Sequence, residues 1–208
     1  MTATAPRTRT WPILLSGELR SSTDSVEIRS PWSGEVVGLA GLAGPADIAS
    51  ALDTAVAAAP AAAAMPSHAR AAVLDRIRIG LLERREEMAR LLAAEAGKPL
   101  AMARGEIDRA AFVFQQGAEE AKRMGGDVMP LDLQPHGEHR WGITRRFPLA
   151  PITGIIAFNY PVLLAAHKLA PAIACGATMV LKLPPQDPLA TLLLAEIIRD
   201  AGYPAGAL

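Results

Sequence analysis

The sequence holds one cysteine, Cys175, which excludes an internal disulfide framework and leaves no local set of thiolates for a zinc site. That usage fits a reducing, cytoplasmic setting. Neither sign of charge is in excess, because 21 Lys and Arg balance 21 Asp and Glu. The long-range basic field that nucleic acid or an anionic membrane surface usually requires is missing, so neither is an expected partner. No apolar run is long enough to span a bilayer, and the basic start Met1 to Thr10 lacks the continuous apolar core of a secretory signal. It reads as a frayed tail over residues 1–10. The Gly-x-Gly-x-x-Gly dinucleotide fingerprint is also absent.

What the chain has in quantity is apolar surface: 50% of its 208 residues are hydrophobic, enough for one large core or two small ones. Trp11 to Leu19, Val26 to Ile28 and Glu35 to Val37 read as short strands around the turn Ser33-Gly34, a small meander. Gly44-Pro45-Ala46-Asp47 announces a helix with Ile48, Leu52 and Val56 on one face, and Pro60 is expected to end it. Ser67 can cap a second helix lined by Leu74, Ile77 and Leu81, and Met88, Leu91 and Leu92 resume the pattern before Gly97-Lys98-Pro99 stops it. A third helix from about Leu100 carries Ile107, Ala110, Ala111, Phe114 and Ala118 at helical spacing up to Gly125-Gly126. The charged clusters on these helices read as solvated faces. Arg140 to Phe147 alternates like an extended strand.

Beyond Pro148 the pattern changes to strand, helix, strand, helix: Ile152 to Phe158, Val162 to Ala174, Ala177 to Leu181, and Pro188 to Ala201 capped by Asp187 and closed by Gly202. The order implies a parallel sheet with right-handed crossovers, the first half of a Rossmann-like domain. The expected fold is therefore α/β, with N-terminal helices and a small β meander leading into that half-sheet. Its divisions are a tail over 1–10, a helical and strand region over 11–147, and the half-domain over 148–208. Ligands of such sheets bind outside the carboxyl ends of the strands, which singles out Phe158-Asn159 and Lys182-Leu183-Pro184-Pro185. The Asn159 amide can either cap the following helix or point two donors at a developing oxyanion. Lys182 can be a solvated charge or a ligand to ribose or phosphate.

The ordered blocks resemble the aldehyde dehydrogenase superfamily over nearly the whole chain. They are Ser30-Pro31-Trp32-Ser33-Gly34-Glu35-Val36, then Glu95-Ala96-Gly97-Lys98-Pro99-Leu100 with Glu106, then Arg145-Arg146-Phe147-Pro148 through Phe158-Asn159-Tyr160-Pro161. His167-Lys168, Ala170-Pro171-Ala172, Leu181-Lys182 and Ala201-Gly202-Tyr203-Pro204-Ala205-Gly206 complete the series. The resemblance implies that the Asn159 amide donates to the oxyanion of the thiohemiacetal, and that Ile155, Ile156, Ala157 and Phe158 line the nicotinamide side of the cofactor cleft. It implies that Lys182 hydrogen-bonds the adenosine ribose, beside Pro184 and Pro185, and that Lys168 is a buried lysine with a structural or proton-relay role. The implied cofactor is NAD or NADP and the implied substrate a small aldehyde, oxidised to an acid, with a homo-oligomer as the full-length form.

The chain departs from the commonest pattern at Ala150, Ala157 and Pro185. Pro185 stands where many members carry a glutamate that accepts from the ribose 2′-hydroxyl, and without that carboxylate NADP is not repelled. The Lys-x-Pro-Pro-Gln version with Met129-Pro130-Leu131-Asp132 looks most like lactaldehyde-type, phosphonoacetaldehyde-type and broad-specificity branches. Cys175 ends an apolar helix where the family has a small residue, so it is expected to be buried and inert. The family's nucleophile, general base and Gly-rich loop lie further along than Leu208, so the expectation is an N-terminal portion, inactive alone. The alternative is a non-catalytic nucleotide-binding or oligomerisation module of the same fold.

Overall fold

The structure, a computed structural model, describes residues 9–208. Most of the expected tail, residues 1–8, lies outside the described residues. Thr10 is already paired, because β1 (Thr10–Trp11) runs parallel to β5 (Val36–Gly41), which β4 (Ser25–Arg29) joins on its other side. Between them β2 (Ile13–Leu15) and β3 (Glu18–Arg20) form a hairpin. Its turn residues, Ser16 and Gly17, both take positive φ, as a two-residue hairpin turn matched to strand twist requires.

Four helices follow: α1 (Pro45–Ala64), α2 (Ser67–Glu83), α3 (Arg85–Ala96) and α4 (Leu100–Ala121). The start of α1 is as expected, with Pro45 in the first turn and the Asp47 carboxylate accepting the Gly44 N–H at 2.9 Å. Its end and its buried face are not. The helix runs through Pro60, which lies on the same exposed side as Val56, so the carbonyl that loses its N–H partner is on the solvent side. Ile48, Leu52 and Val56 are 51%, 40% and 57% exposed, and Ala55, Ala58 and Ala62 face the core instead. Small side chains win there because the chain comes very close: a Cβ on Gly176 would lie 2.8 Å from the Ala62 carbonyl oxygen.

Ser67 is the first residue of α2 rather than its cap, a position held by Pro66 without a side-chain bond. Leu74, Ile77 and Leu81 are completely buried as the spacing predicts, together with Met88, Leu92, Ile107 and Phe114. Gly97 stops α3 in the left-handed region at φ 64°. A hairpin of β6 (Val128–Pro130) and β7 (Trp141–Ile143) then stands out from the core, with Val128, Trp141 and Ile143 64%, 70% and 78% exposed.

The last unit is β8 (Ile152–Ile155), α5 (Pro161–Cys175), β9 (Met179–Lys182) and α6 (Leu189–Asp200), with β8 and β9 parallel. Both strands are shorter than the apolar runs suggested. The register pairs Ile152 with Met179 and Ile155 with Lys182, so the two strands end level and release their loops side by side. Helix α5 packs against α4, and one continuous core runs from Trp11 through the helical layer to Ala207. Residues on both sides of the expected division at 147 and 148 contribute to that core. Among the described residues, no single helix is long and apolar enough to cross a membrane.

Candidate active site

A parallel pair leaves the first N–H groups of each following helix unpartnered at the carboxyl edge of the sheet, where they act as a partial positive charge. In this chain neither helix supplies its own side-chain cap. Both caps come from the helical layer. Glu106 on α4 accepts the Val162 and Leu163 N–H groups at 3.0 and 3.2 Å with one carboxylate oxygen. Glu95 on α3 accepts the Leu189 and Ala190 N–H groups at 2.7 and 2.8 Å. Asp187 therefore does not cap α6 as its position before the helix suggested. A carboxylate from α3 already occupies those donors, and the Asp187 Oδ1 atom is buried without a partner.

The second Glu106 oxygen takes the Lys98 ammonium, which also donates to the Asn159 backbone carbonyl at 3.0 Å. The same ammonium lies 4.4 Å from the centre of the Tyr160 ring, and the Arg109 guanidinium lies 4.9 Å from it. Glu95, Glu106 and Asp187 are 3%, 0% and 3% exposed, so their carboxyl groups are held almost without water. Burial pushes the Glu95 carboxyl up to about 8 against the pull of its two backbone donors, with Asp187 and Glu106 adding repulsion. Burial likewise raises Asp187 to about 7, opposed by Lys98.

These groups surround a cleft of about 390 Å3 lined by Arg29, Pro31, Glu95, Lys98, Asn159 and Asp187, among others. Asn159 is exposed, and Tyr160, not Asn159, holds the N-cap position of α5 without a side-chain bond. The capping alternative for Asn159 is thereby excluded, and its amide makes no hydrogen bond among the described residues. Phe158 lines the same cleft, 58% exposed. Of the other expected cofactor residues, Ile155 is 66% exposed at the end of β8, Ile156 is buried, and Ala157 is exposed. Lys182 is exposed at the end of β9, with its ammonium 3.3 Å from the Leu183 carbonyl, while Pro184 is buried and Pro185 exposed. None of Ile155, Ile156, Ala157, Lys182, Pro184 or Pro185 lines the cleft. Two of them are joined to each other by backbone pairing, the Ile156 N–H bonded to the Lys182 carbonyl at 3.1 Å. Lys168 is half-buried, its stem against Gly154.

Lys98, Glu106 and Glu95 belong to a block read in the sequence only as part of a resemblance, and their work was missed. A signal was available. Glu106 falls in the apolar stripe of Ala103, Ile107, Ala110 and Phe114, and Glu95 continues Met88 and Leu92; an acid at a core position demands a buried partner. Cys175 sits at the far end of α5, its thiol 3.3 Å from the Ala172 carbonyl. A 15-residue helix, at ~1.5 Å per residue, keeps it roughly 20 Å from Asn159.

Residues 19–208 match the Aldehyde dehydrogenase family. The chain is 34% identical over 202 residues to the 3-sulfolactaldehyde dehydrogenase of Priestia aryabhattai, covering 95% of this chain and 41% of that protein. It is 35% identical over 195 residues to the NADP(+) succinate-semialdehyde dehydrogenase of Escherichia coli, covering 93% and 40%. Among solved structures, aldehyde dehydrogenase 21 from Physcomitrella patens, in complex with the reaction product succinate, superposes with a TM-score of 0.94 at 37% identity, covering 97% of this chain and 42% of that one. The NADP-dependent glyceraldehyde-3-phosphate dehydrogenase of Bacillus halodurans, complexed with NADP, gives 0.90 at 32%, covering 95% and 42%. The chain spans about two-fifths of the length of these relatives. Its mixed α/β architecture and the match over residues 19–208 lead to one conclusion: this chain belongs to the aldehyde dehydrogenase family.

Proposed function

We propose that the chain contributes the oxyanion donor and half of the cofactor cleft to an NAD(P)-dependent enzyme that oxidises a small aldehyde to a carboxylic acid. The observation that carries the reading is the Asn159 amide, uncommitted to any cap and set at the mouth of the cleft where β8 ends. Two N–H donors held there by fixed backbone stabilise negative charge as it forms on a carbonyl oxygen, at little cost in reorganisation. The nicotinamide cofactor, when bound, supplies the hydride acceptor. Lys182 would hold its ribose, Ile155 to Phe158 its nicotinamide side, and Pro184 and Pro185 the turn beside the ribose. The exposure of Lys182 at a parallel-strand terminus fits that ligand.

Pro185 leaves no carboxylate to oppose a 2′-phosphate, so NADP use is part of the proposal. Relatives named for 3-sulfolactaldehyde and succinate semialdehyde support a short aldehyde carrying a second, anionic group as substrate. The only cysteine of the chain is too far from Asn159 to serve as nucleophile, so the thiolate must come from elsewhere. The exposed β6–β7 hairpin, with Val128, Trp141 and Ile143 bare, supports homo-oligomerisation and is also what favours an assembly module as the second reading. A cytoplasmic setting rests on the cysteine usage.

The test is turnover of succinate semialdehyde with NAD or NADP by the whole protein that carries this chain. Asn159→Ala is expected to lower kcat by about 10² to 10³-fold. Unchanged kcat in that variant overturns the assignment of the oxyanion donor, and turnover by the 208-residue chain alone overturns the division of labour.

A further inference from the structure

The bend from β8 into α5 is fixed on both sides by one pair of side chains. Before it, the Lys98 ammonium holds the Asn159 carbonyl; after it, Glu106 holds the Val162 and Leu163 N–H groups. The two side chains bond each other, and their side chains are only 11% and 0% exposed. Meanwhile Tyr160, between Asn159 and Pro161, has its ring under the Lys98 ammonium. Backbone and ring are thus engaged while the Asn159 amide makes no hydrogen bond among the described residues.

We propose that Lys98, anchored by Glu106, is a positioning residue that aims the Asn159 amide into the cleft. The inference rests on the reading of Asn159 as oxyanion donor. An ammonium suits the task because it is a compact donor with three N–H directions, two of which go to Glu106 and the Asn159 carbonyl. Bonding the main chain rather than the amide leaves both amide donors for the reacting oxygen. Positioning of this kind is felt in turnover, since a misplacement of ~1 Å can cost about a hundredfold in rate.

The decisive variant pair is Lys98→Met with Glu106→Gln. It removes both charges of the pair together, so neither is left without the other, and the glutamine oxygen still accepts from α5. In the whole protein that carries this chain, the pair is expected to lower kcat at least about tenfold with KM within about twofold. Made in the Asn159→Ala background, it is expected to change kcat less than about twofold, because it acts through the same amide. An equal loss in both backgrounds marks a merely structural role and overturns the proposal. A second arm needs no turnover: hydrogen exchange in the 208-residue chain should rise about tenfold over residues 159–164 and stay unchanged over β9. No rise at 159–164, or an equal rise across β9, also overturns it. If Asn159→Ala itself leaves kcat intact, the oxyanion reading falls, and the exchange arm still decides whether Lys98 and Glu106 hold this bend.

Discussion

The Glu106 carboxylate, fully buried on α4, accepts the Val162 N–H at 3.0 Å and joins the helical layer to the first turn of α5. The bond spans 56 residues of sequence. It places a charge at the positive end of a helix dipole and pairs it with a lysine, so the buried carboxylate, the ammonium and the α5 N–H groups are satisfied together. Glu106→Ala would leave the Lys98 charge buried alone and the α5 donors unmet. The expected loss is about 3–5 kcal/mol, read from urea denaturation, with a smaller loss for Glu106→Gln.

Asp187 and Glu95 give the fold a pH dependence opposite to that of salt-bridged acids. Both have folded values above the ordinary carboxyl range, at about 7 and about 8, so the native chain binds more protons than the unfolded one between about pH 4 and those values. Their contribution is fullest in acid and is lost as pH rises through 7 and 8. In Asp187→Asn, thermal midpoints should fall less steeply between about pH 4 and about pH 7 than in the parent. An equal slope in the two proteins would contradict the assignment.

Gly97 is required for two separate reasons. Its φ is 64°, and a Cβ there would lie 2.8 Å from Pro31 Cγ. Gly97→Ala is expected to destabilise by more than about 1 kcal/mol and to loosen the contact between the Pro31 turn and the Lys98 segment, measurable as a lowered denaturation midpoint.

On the proposed oxidation of an aldehyde, Cys175→Ala should leave turnover within about twofold, since its thiol faces the Ala172 carbonyl at the far end of α5 from Asn159. Loss of turnover with intact folding would place chemistry where the structure has none.

On α1 the two faces should answer oppositely. Val56→Gln, on the exposed face, is expected to shift stability by no more than about 0.5 kcal/mol, whereas Ala62→Val, completely buried, should cost about 1–3 kcal/mol by overpacking. Denaturation of both variants under one condition checks the contrast.

Part of this was legible in the residues. Gly97 as a helix stop, Pro45 in the first turn of α1, and the Leu74, Ile77 and Leu81 stripe report interactions within a turn or two of chain. The face of α1 was not legible, because Ile48, Leu52 and Val56 keep helical spacing just as well as Ala55, Ala58 and Ala62. Packing against the turn at Gly176 selected the smaller set.

The sequence by itself determined the start of α1 at Pro45, the stop of α3 at Gly97 and the run of blocks that marks the family, since these depend on local backbone preference and short-range patterns. Only the tertiary structure decided what Asn159 is free to do. A cap, an ion pair or a buried carboxylate has a partner only when distant surfaces meet, and here Glu95, Lys98 and Glu106 satisfy the helix ends and the loop carbonyl. With those groups satisfied from the helical layer, the amide of Asn159, at the cleft, makes no hydrogen bond among the described residues.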